Sequence, residues 1–214
     1  MKHMLLGATS ALVLMTFFSV GGAAFAAPAD QPGHESPKPG TNHEAMSATE
    51  DSVAAGVGTI SAEMTSTTKG FVTAAATSDM YEVTAGKIAL QRASSPAIKE
   101  FAQMMVAAHT KTTAKLKGII ADNKIAVMPL AHVDNRRQGM LDNLRGASAA
   151  DFDHRYITQQ VAAHTEADIL FRGYAKDGDN AAIKDFAGMT DKDIKMHLSM
   201  AKKLDAETKS ASAK

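Results

Sequence analysis

The stretch "AIKEFAQM" at residues 97–104 returns as "AIKDFAGM" at residues 182–189. Each copy follows a turn-forming run, "RASSP" in the first case and "KDGDN" in the second. Ser95 is a natural helix cap and Pro96 suits a first helical turn, where its missing N–H is not needed. Each copy therefore opens a helix, and each of those helices follows another. The spacing of apolar residues predicts helices over about 68–93, 96–121, 150–176 and 180–204. The last has a candidate interruption at "GMTDKD". Between the second and third lies a crossover beginning "DNKIAVMP", with a short helix expected between Asp134 and Leu144. Two helical hairpins joined by a long crossover form the ferritin-like version of the four-helix bundle, an all-α fold.

Outward from that core the chain changes character. Residues 1–26 carry Lys2, a long apolar run "MLLGATSALVLMTFFSVGG" and a small-x-small close at Ala24-Phe25-Ala26. This reads as a cleavable secretory signal peptide, cut after Ala26, with no positive stop-transfer flank behind it. No stable membrane span is expected after cleavage, and the destination is the periplasm or the exterior. Residues 27–66 are rich in Pro, Gly, Ser, Ala and acid, with Lys38 the single cation. So little apolar surface predicts a flexible acidic linker, with His34 and His43 solvated in it. The folded domain is expected over 67–206, and 207–214 as a frayed tail. The 214 residues include no cysteine, which excludes disulfides, thiolate metal sites and a lipidated cysteine. The charge balances to zero, and the folded part shows no basic stripe for nucleic acid.

The histidines fall where a helix should be apolar. In the second helix, steps of three and four from Ile98 pass through Ala102, Met105, His109, Thr112, Leu116 and Ile119. The third helix aligns Ile157, Val161, His164, Asp168 and Phe171; the fourth aligns Ile183, Ala187, Thr190, Ile194, His197 and Ala201. The first offers Glu82 on a face of small residues that also holds Asp79. Each helix thus places one ligand-capable side chain inward: Glu82, His109, His164 and His197. Imidazole with carboxylate suits a transition metal such as Zn, Fe or Cu. Asp168, one turn beyond His164, and Asp79, on the Glu82 face, are the carboxylates placed to orient the rings. A structural reading stands beside this one, in which the same groups are hydrogen-bonded core residues.

No Glu-x-x-His pair exists, so a carboxylate-bridged di-iron centre is not indicated. Nor is there a G-x-S-x-G, a phosphate loop or an H-E-x-x-H, and an enzyme reading has little support. Met105 and Met200 stand close in sequence to His109 and His197, a pairing that suits Cu(I), although methionine also fills helical cores.

The stretches "FVTAAATSDMYEVTAGKIALQRASSPAIKEFAQMMVAAHTKTTAKL" and "DFDHRYITQQVAAHTEADILFRGYAKDG" resemble a ferritin-like bacterial envelope domain, the domain of unknown function four-one-four-two. The resemblance runs from about Lys69 to Leu204. It implies a secreted helical domain in which Glu82, His109, His164 and His197 fall on the family's recurring polar positions, and it implies no activity. Two departures stand out. Ala108 replaces an Asp common before the first histidine, which removes one partner for His109. The last helix reads "MTDKDI" where the family tends to break at Leu-Pro. The expectation is a non-enzymatic periplasmic protein with an internal His/Glu metal site. The alternatives are an envelope stress or scaffold protein with a purely structural polar core and, behind it, a metal-dependent oxidoreductase.

Overall fold

Hydrogen bonds at the helix starts show why the sequence breaks where it does. Thr67 accepts from the Gly70 amide, Ser95 from Ile98, Asp134 from Arg137 and Asn180 from Ile183, each satisfying a donor of a first turn. The computed structural model describes residues 43–212. Those residues are all-helical: α1 (His43–Glu63), α2 (Thr68–Arg92), α3 (Pro96–Asp122), α4 (Asn135–Gly146), α5 (Phe152–Asp177) and α6 (Ala181–Ser212). The leader read over residues 1–26, and residues 27–42 behind it, lie outside the described residues.

Helix α2 packs on α3 and α5 on α6, each pair joined by a three-residue turn, and α2 also meets α5 while α3 meets α6. The two hairpins are latched reciprocally. Asp153, at the start of α5, accepts from the Ser94 and Ser95 amides in the turn between α2 and α3. Asp179, in the turn between α5 and α6, accepts from the Thr68 amide and the Tyr174 hydroxyl. Each turn is therefore tied to the beginning of the opposite hairpin, which sets the register of one hairpin on the other.

That register divides the core in two. One apolar cluster gathers Tyr81, Ala85, Ala89, Ile98, Phe101, Met105, Tyr156, Ile157 and Ala201. The other gathers Phe71, Val72, Ala75, Leu116, Leu170, Phe171, Tyr174, Ile183, Phe186 and Ile194. All four long helices cross from one cluster to the other. On each, the crossing falls at the inward polar residue: near Glu82 on α2, His109 on α3, His164 on α5 and His197 on α6. The helical stripes had placed these residues inward one helix at a time. Reciprocal latching puts them in one layer.

Three expectations are corrected. Residues 27–66 were expected to form a flexible linker, but from His43 onward this stretch is α1, packed on α4 and α5. Its inner face is Ser47, Asp51, Gly58 and Ala62, while Met46, Val53, Val57 and Ile60 are exposed. Small and polar residues face inward and large apolar ones outward, which inverts the pattern by which a helix is recognised. Asp51 anchors the helix, accepting from Gln159 at 2.7 Å and Asn143 at 3.0 Å and facing Arg155 at 3.3 Å. Second, α6 runs unbroken to Ser212, through "GMTDKD" and through much of the expected tail. Third, the short helix is longer than expected by two residues at its end, closing at Gly146.

Gly58 shows how closely α1 is held. A Cβ there would lie 2.0 Å from Glu166 Oε2 and 2.7 Å from Arg136 Nη1. The Glu166 carboxylate is fixed by Arg136 at 2.8 Å and Arg137 at 2.6 Å, so it cannot step aside without breaking both pairs. Gly→Ala inside a helix ordinarily gains up to ~1 kcal/mol. Gly58→Ala is instead expected to weaken the docking of α1 by about 1–3 kcal/mol through overpacking. Amide hydrogen exchange across residues 43–63 should accelerate; equal or slower exchange would contradict this account of α1.

Candidate metal centre

The three histidines meet. One ring nitrogen from each of His109, His164 and His197 lies within 4.8 Å of the others, and all three residues are buried. The ring centroids form a nearly equilateral triangle of 5.6, 5.9 and 5.5 Å. At the outer limit of the nitrogen spacing, a point equidistant from the three is about 2.8 Å away, against ~2.0–2.1 Å for a Zn–N bond. A shift of under an ångström in each ring closes that gap.

Two of the rings are oriented by their far nitrogens. His109 Nδ1–H donates to Asp79 Oδ1 at 2.7 Å, and Thr113 Oγ1–H donates to Asp79 Oδ2 at 2.9 Å. His164 Nδ1–H donates to the Gln160 backbone carbonyl at 3.0 Å. An ionised carboxylate or a carbonyl oxygen only accepts, so both Nδ1 atoms carry protons and Nε2 is the nitrogen left free on each ring. Neither Nε2 has a hydrogen-bond partner, nor has the buried His197 Nδ1. This is the arrangement by which metal-binding imidazoles are usually held, one nitrogen fixed by an acceptor and the other free.

Glu82 stands beside this triangle rather than in it. Its Oε1 is 3.8 Å from His164 Nδ1, the ring edge turned away from the free nitrogen, and the set sharing the 4.8 Å spacing comprises the imidazoles alone. Both Glu82 oxygens are buried without a hydrogen bond. The Gln160 amide favours the ionised carboxylate but stays outside hydrogen-bond geometry. Asp79, from α2, is the carboxylate bonded to His109, where Ala108 offers no acceptor. Asp168 does not orient His164. Its carboxylate faces Arg172 at 3.5 Å and Lys195 at 3.7 Å, toward the partly exposed side of α6, because the helix already satisfies His164 through Gln160.

Burial governs the protonation of the cluster. It presses His164 down to about 3, helped by the charge of His109 and opposed by the Gln160 carbonyl. It presses His197 down to about 4, with His164 and His109 adding to the effect. For His109 burial also pushes down, but the Asp79 hydrogen bond and the charges of Glu82 and Asp79 outweigh it and hold this ring above its ordinary 6.5. Burial raises the Glu82 and Asp79 carboxyls above their usual range. At neutral pH two of the three imidazoles therefore present lone pairs with no proton to displace.

The sign of the pH effect follows. Below pH 6.5 the unfolded chain takes protons on His164 and His197, whereas the folded chain does not until about 3 and 4. Each ring therefore subtracts stability from the metal-free protein as pH falls from 6.5 toward those values. Glu82 and Asp79 act in the opposite direction, because the folded chain takes up their protons first. Nitrogen-15 NMR of the rings should show His109 titrating above 6.5 while His164 and His197 stay neutral to about 4. Three rings titrating together near 6.5 would contradict this electrostatic picture.

Several contributors were not singled out from sequence. Gln160 lies one turn before His164, where a backbone acceptor is available to any helical imidazole. Thr113 sits one turn after His109, the helical spacing that places it against the same carboxylate. Tyr156 and Phe101 pack at the edge of the layer, with Phe101 6.4 Å from the His164 ring. Among the described residues, no helix is long and apolar enough to cross a membrane.

Comparison with known proteins adds a family without an activity. The family model described as "Domain of unknown function (DUF4142)" matches residues 54–204, most of the chain. No curated protein and no solved structure matches it.

Proposed function

The chain belongs to the DUF4142 family, a domain of unknown function, and from that premise we propose that this member holds one transition-metal ion at His109, His164 and His197. It does so in a secreted, ferritin-like four-helix domain that binds or stores the ion rather than turning over a substrate. One observation carries the reading. Three imidazoles from three helices converge in a polar layer between two apolar clusters, and their inward nitrogens have no hydrogen-bond partner. Buried polar atoms are ordinarily paired, since leaving one unpaired costs about 1–3 kcal/mol.

The residues suit a divalent or monovalent ion of the Zn, Fe or Cu group, for which imidazole is a fitting ligand. Glu82 and Asp79 supply the negative charge that a buried cation needs, although neither belongs to the triangle. Bound there, the ion would add Lewis acidity and a coordination position beyond the three imidazoles. The chain's own residues do the rest: Asp79 and the Gln160 carbonyl fix the rings, and the two apolar clusters close the layer on either side along the bundle.

The ferritin-like reading rests on the two latched hairpins and the crossover between α3 and α5 that carries α4. A periplasmic home rests on the leader pattern of residues 1–26. The structural alternative, a scaffold with a polar core, requires the layer to satisfy itself. Among the described residues, no hydrogen bond joins Glu82, His197 or the Nε2 atoms of His109 and His164 to another side chain. Zinc added to chelator-stripped protein at pH 7.5 tests the proposal. At 100 times Kd, a single ion should stabilise the fold by ~2.7 kcal/mol, read as a rise in Tm that depends on metal concentration. No shift with zinc, iron or copper would remove it.

A further inference from the structure

An open cleft between α3 and α6 leads from the surface to the histidine layer, reaching His109 and His197. Its walls carry three thioethers, Met104 from α3 and Met189 and Met196 from α6. We propose that this cleft is a loading channel for a soft monovalent cation, Cu(I), which Met104, Met189 and Met196 capture and pass to the three imidazoles. The inference rests on the reading that those imidazoles hold a metal, and it names which metal and by what route.

The choice of side chain along α6 is the first argument. Among the described residues, the large apolar side chains exposed on this helix are Met189, Met196 and Met200. None is Leu, Ile, Val or Phe. Leu has the same helix propensity as Met and the same apolar character, so helix formation does not select methionine here. Nor does packing. Met189 and Met196 are about half exposed, at 51% and 49%, whereas Met105, one turn from His109, is fully enclosed in the apolar core. Of the two methionines singled out by sequence, Met105 is thus a core residue and Met200 is exposed outside the cleft lining.

Position is the second argument. Met189 and Met196 are seven residues apart, two helical turns or about 10 Å along α6, and so lie on one side of it. Met196 directly precedes His197, and Met104 stands five residues before His109 on the opposite wall. The small residues Ala107 and Ala108 line the same wall and leave the passage open. At its inner end are the unpaired nitrogens of two imidazoles, each on a residue less than 10% exposed.

Chemistry is the third. A thioether is neutral and soft, and it favours Cu(I) while offering little to Zn(II). Lys111 and Lys115 line the cleft together with Asp79 and Asp193, so its charges balance and do not by themselves draw in divalent cations. The transfer is a ligand exchange from sulfur to nitrogen, with no change in oxidation state.

The full-length mature chain tests this under anaerobic conditions, with Cu(I) supplied from a chromogenic chelator and Zn(II) titrated in parallel. The variant carrying Met104→Leu, Met189→Leu and Met196→Leu keeps side-chain volume and helix propensity. Its Cu(I) loading rate is expected to fall at least tenfold, with Zn(II) affinity within twofold of wild type. Met189→Leu alone, at a half-exposed position, should slow loading measurably if the triple variant folds poorly. Unchanged Cu(I) loading in both variants would overturn the channel and leave the histidine centre standing. A wild type that takes neither ion would overturn the centre and the channel together.

Discussion

Replacing His164 by alanine is expected to abolish metal binding while the helices remain folded. His164 is the most enclosed of the three rings, and its centroid lies 5.6 Å from His109 and 5.5 Å from His197. Removing it leaves two imidazoles and breaks the triangle. Affinity should fall at least 100-fold, or ~3 kcal/mol. Two opposing effects decide the stability of the metal-free variant. A buried cavity of this kind costs about 2–4 kcal/mol. Against that, the substitution deletes an unpaired buried nitrogen worth about 1–3 kcal/mol. The metal-free form should therefore fall between ~1 kcal/mol more stable and ~3 kcal/mol less stable than wild type, and most of the stabilisation conferred by metal should be lost. Thermal melts of wild type and variant, with and without zinc, separate the two quantities. A variant still stabilised by zinc as much as wild type would show that His164 is not a ligand.

Gly86→Ala carries the second large effect, and its sign runs against the ordinary rule. Alanine inside a helix should gain ~1 kcal/mol over glycine. At this position, however, a Cβ would lie 2.7 Å from Val106 Cγ2 and 3.1 Å from the Ala102 carbonyl oxygen of α3. One of those neighbours is backbone and cannot turn away. The two helices must separate, at about 1–3 kcal/mol of overpacking. The same movement reaches the polar layer. Glu82 lies one turn before Gly86 and Asp79 two turns before, both on α2, while His109 lies on α3. Separation stretches the 2.7 Å bond between Asp79 and His109. Loss of such an orienting partner typically reduces metal affinity 10- to 100-fold. Gly86→Ala should thus lower both Tm and zinc affinity. A raised Tm would mean that α2 and α3 do not approach as closely as described.

What the sequence disclosed, and what it hid, follows the same physics. The helical hairpins were legible because Ser95-Pro96 and the 97–104 and 182–189 repeat mark helix starts without reference to anything distant. His109, His164 and His197 were legible because each interrupts an apolar stripe on its own helix. Their convergence was not, since a one-turn slip between helices moves a residue ~5.4 Å and breaks a ligand set. The register that prevents the slip depends on Asp153, at the start of α5, and Asp179, in the turn before α6, whose bonds to the opposite hairpin reach residues 58 or more positions away. Glu82 shows the limit of stripe reasoning: it shares the layer but faces the wrong edge of His164. Asp168 shows it again, since two cations on the outer side take a carboxylate that helical spacing alone assigns to the imidazole. Helix α1 was missed for a different reason. Its buried face is Ser47, Asp51, Gly58 and Ala62, which carry no hydrophobic signal, and its anchor is the bonding of Asp51 to Asn143 and Gln159.

These relations bear on how the domain works. The polar layer is held by contacts that need no metal: the Asp79–His109 bond, the Gln160 carbonyl and the two latches. On the proposed reading, a centre assembled in advance would bind its ion without a large ordering cost, with His164 and His197 kept neutral over a wide range of pH. In that proposal the raised His109 would set the acid limit, because its proton would compete with the metal once pH falls below that ring's own value.

The most direct measurement is the elemental content of the protein purified without a histidine tag or chelator. The account predicts close to one transition-metal ion per chain, absent from the His109→Ala, His164→Ala and His197→Ala variants. A wild-type protein that is empty as isolated, and that stays empty when offered zinc, iron and copper, would contradict it.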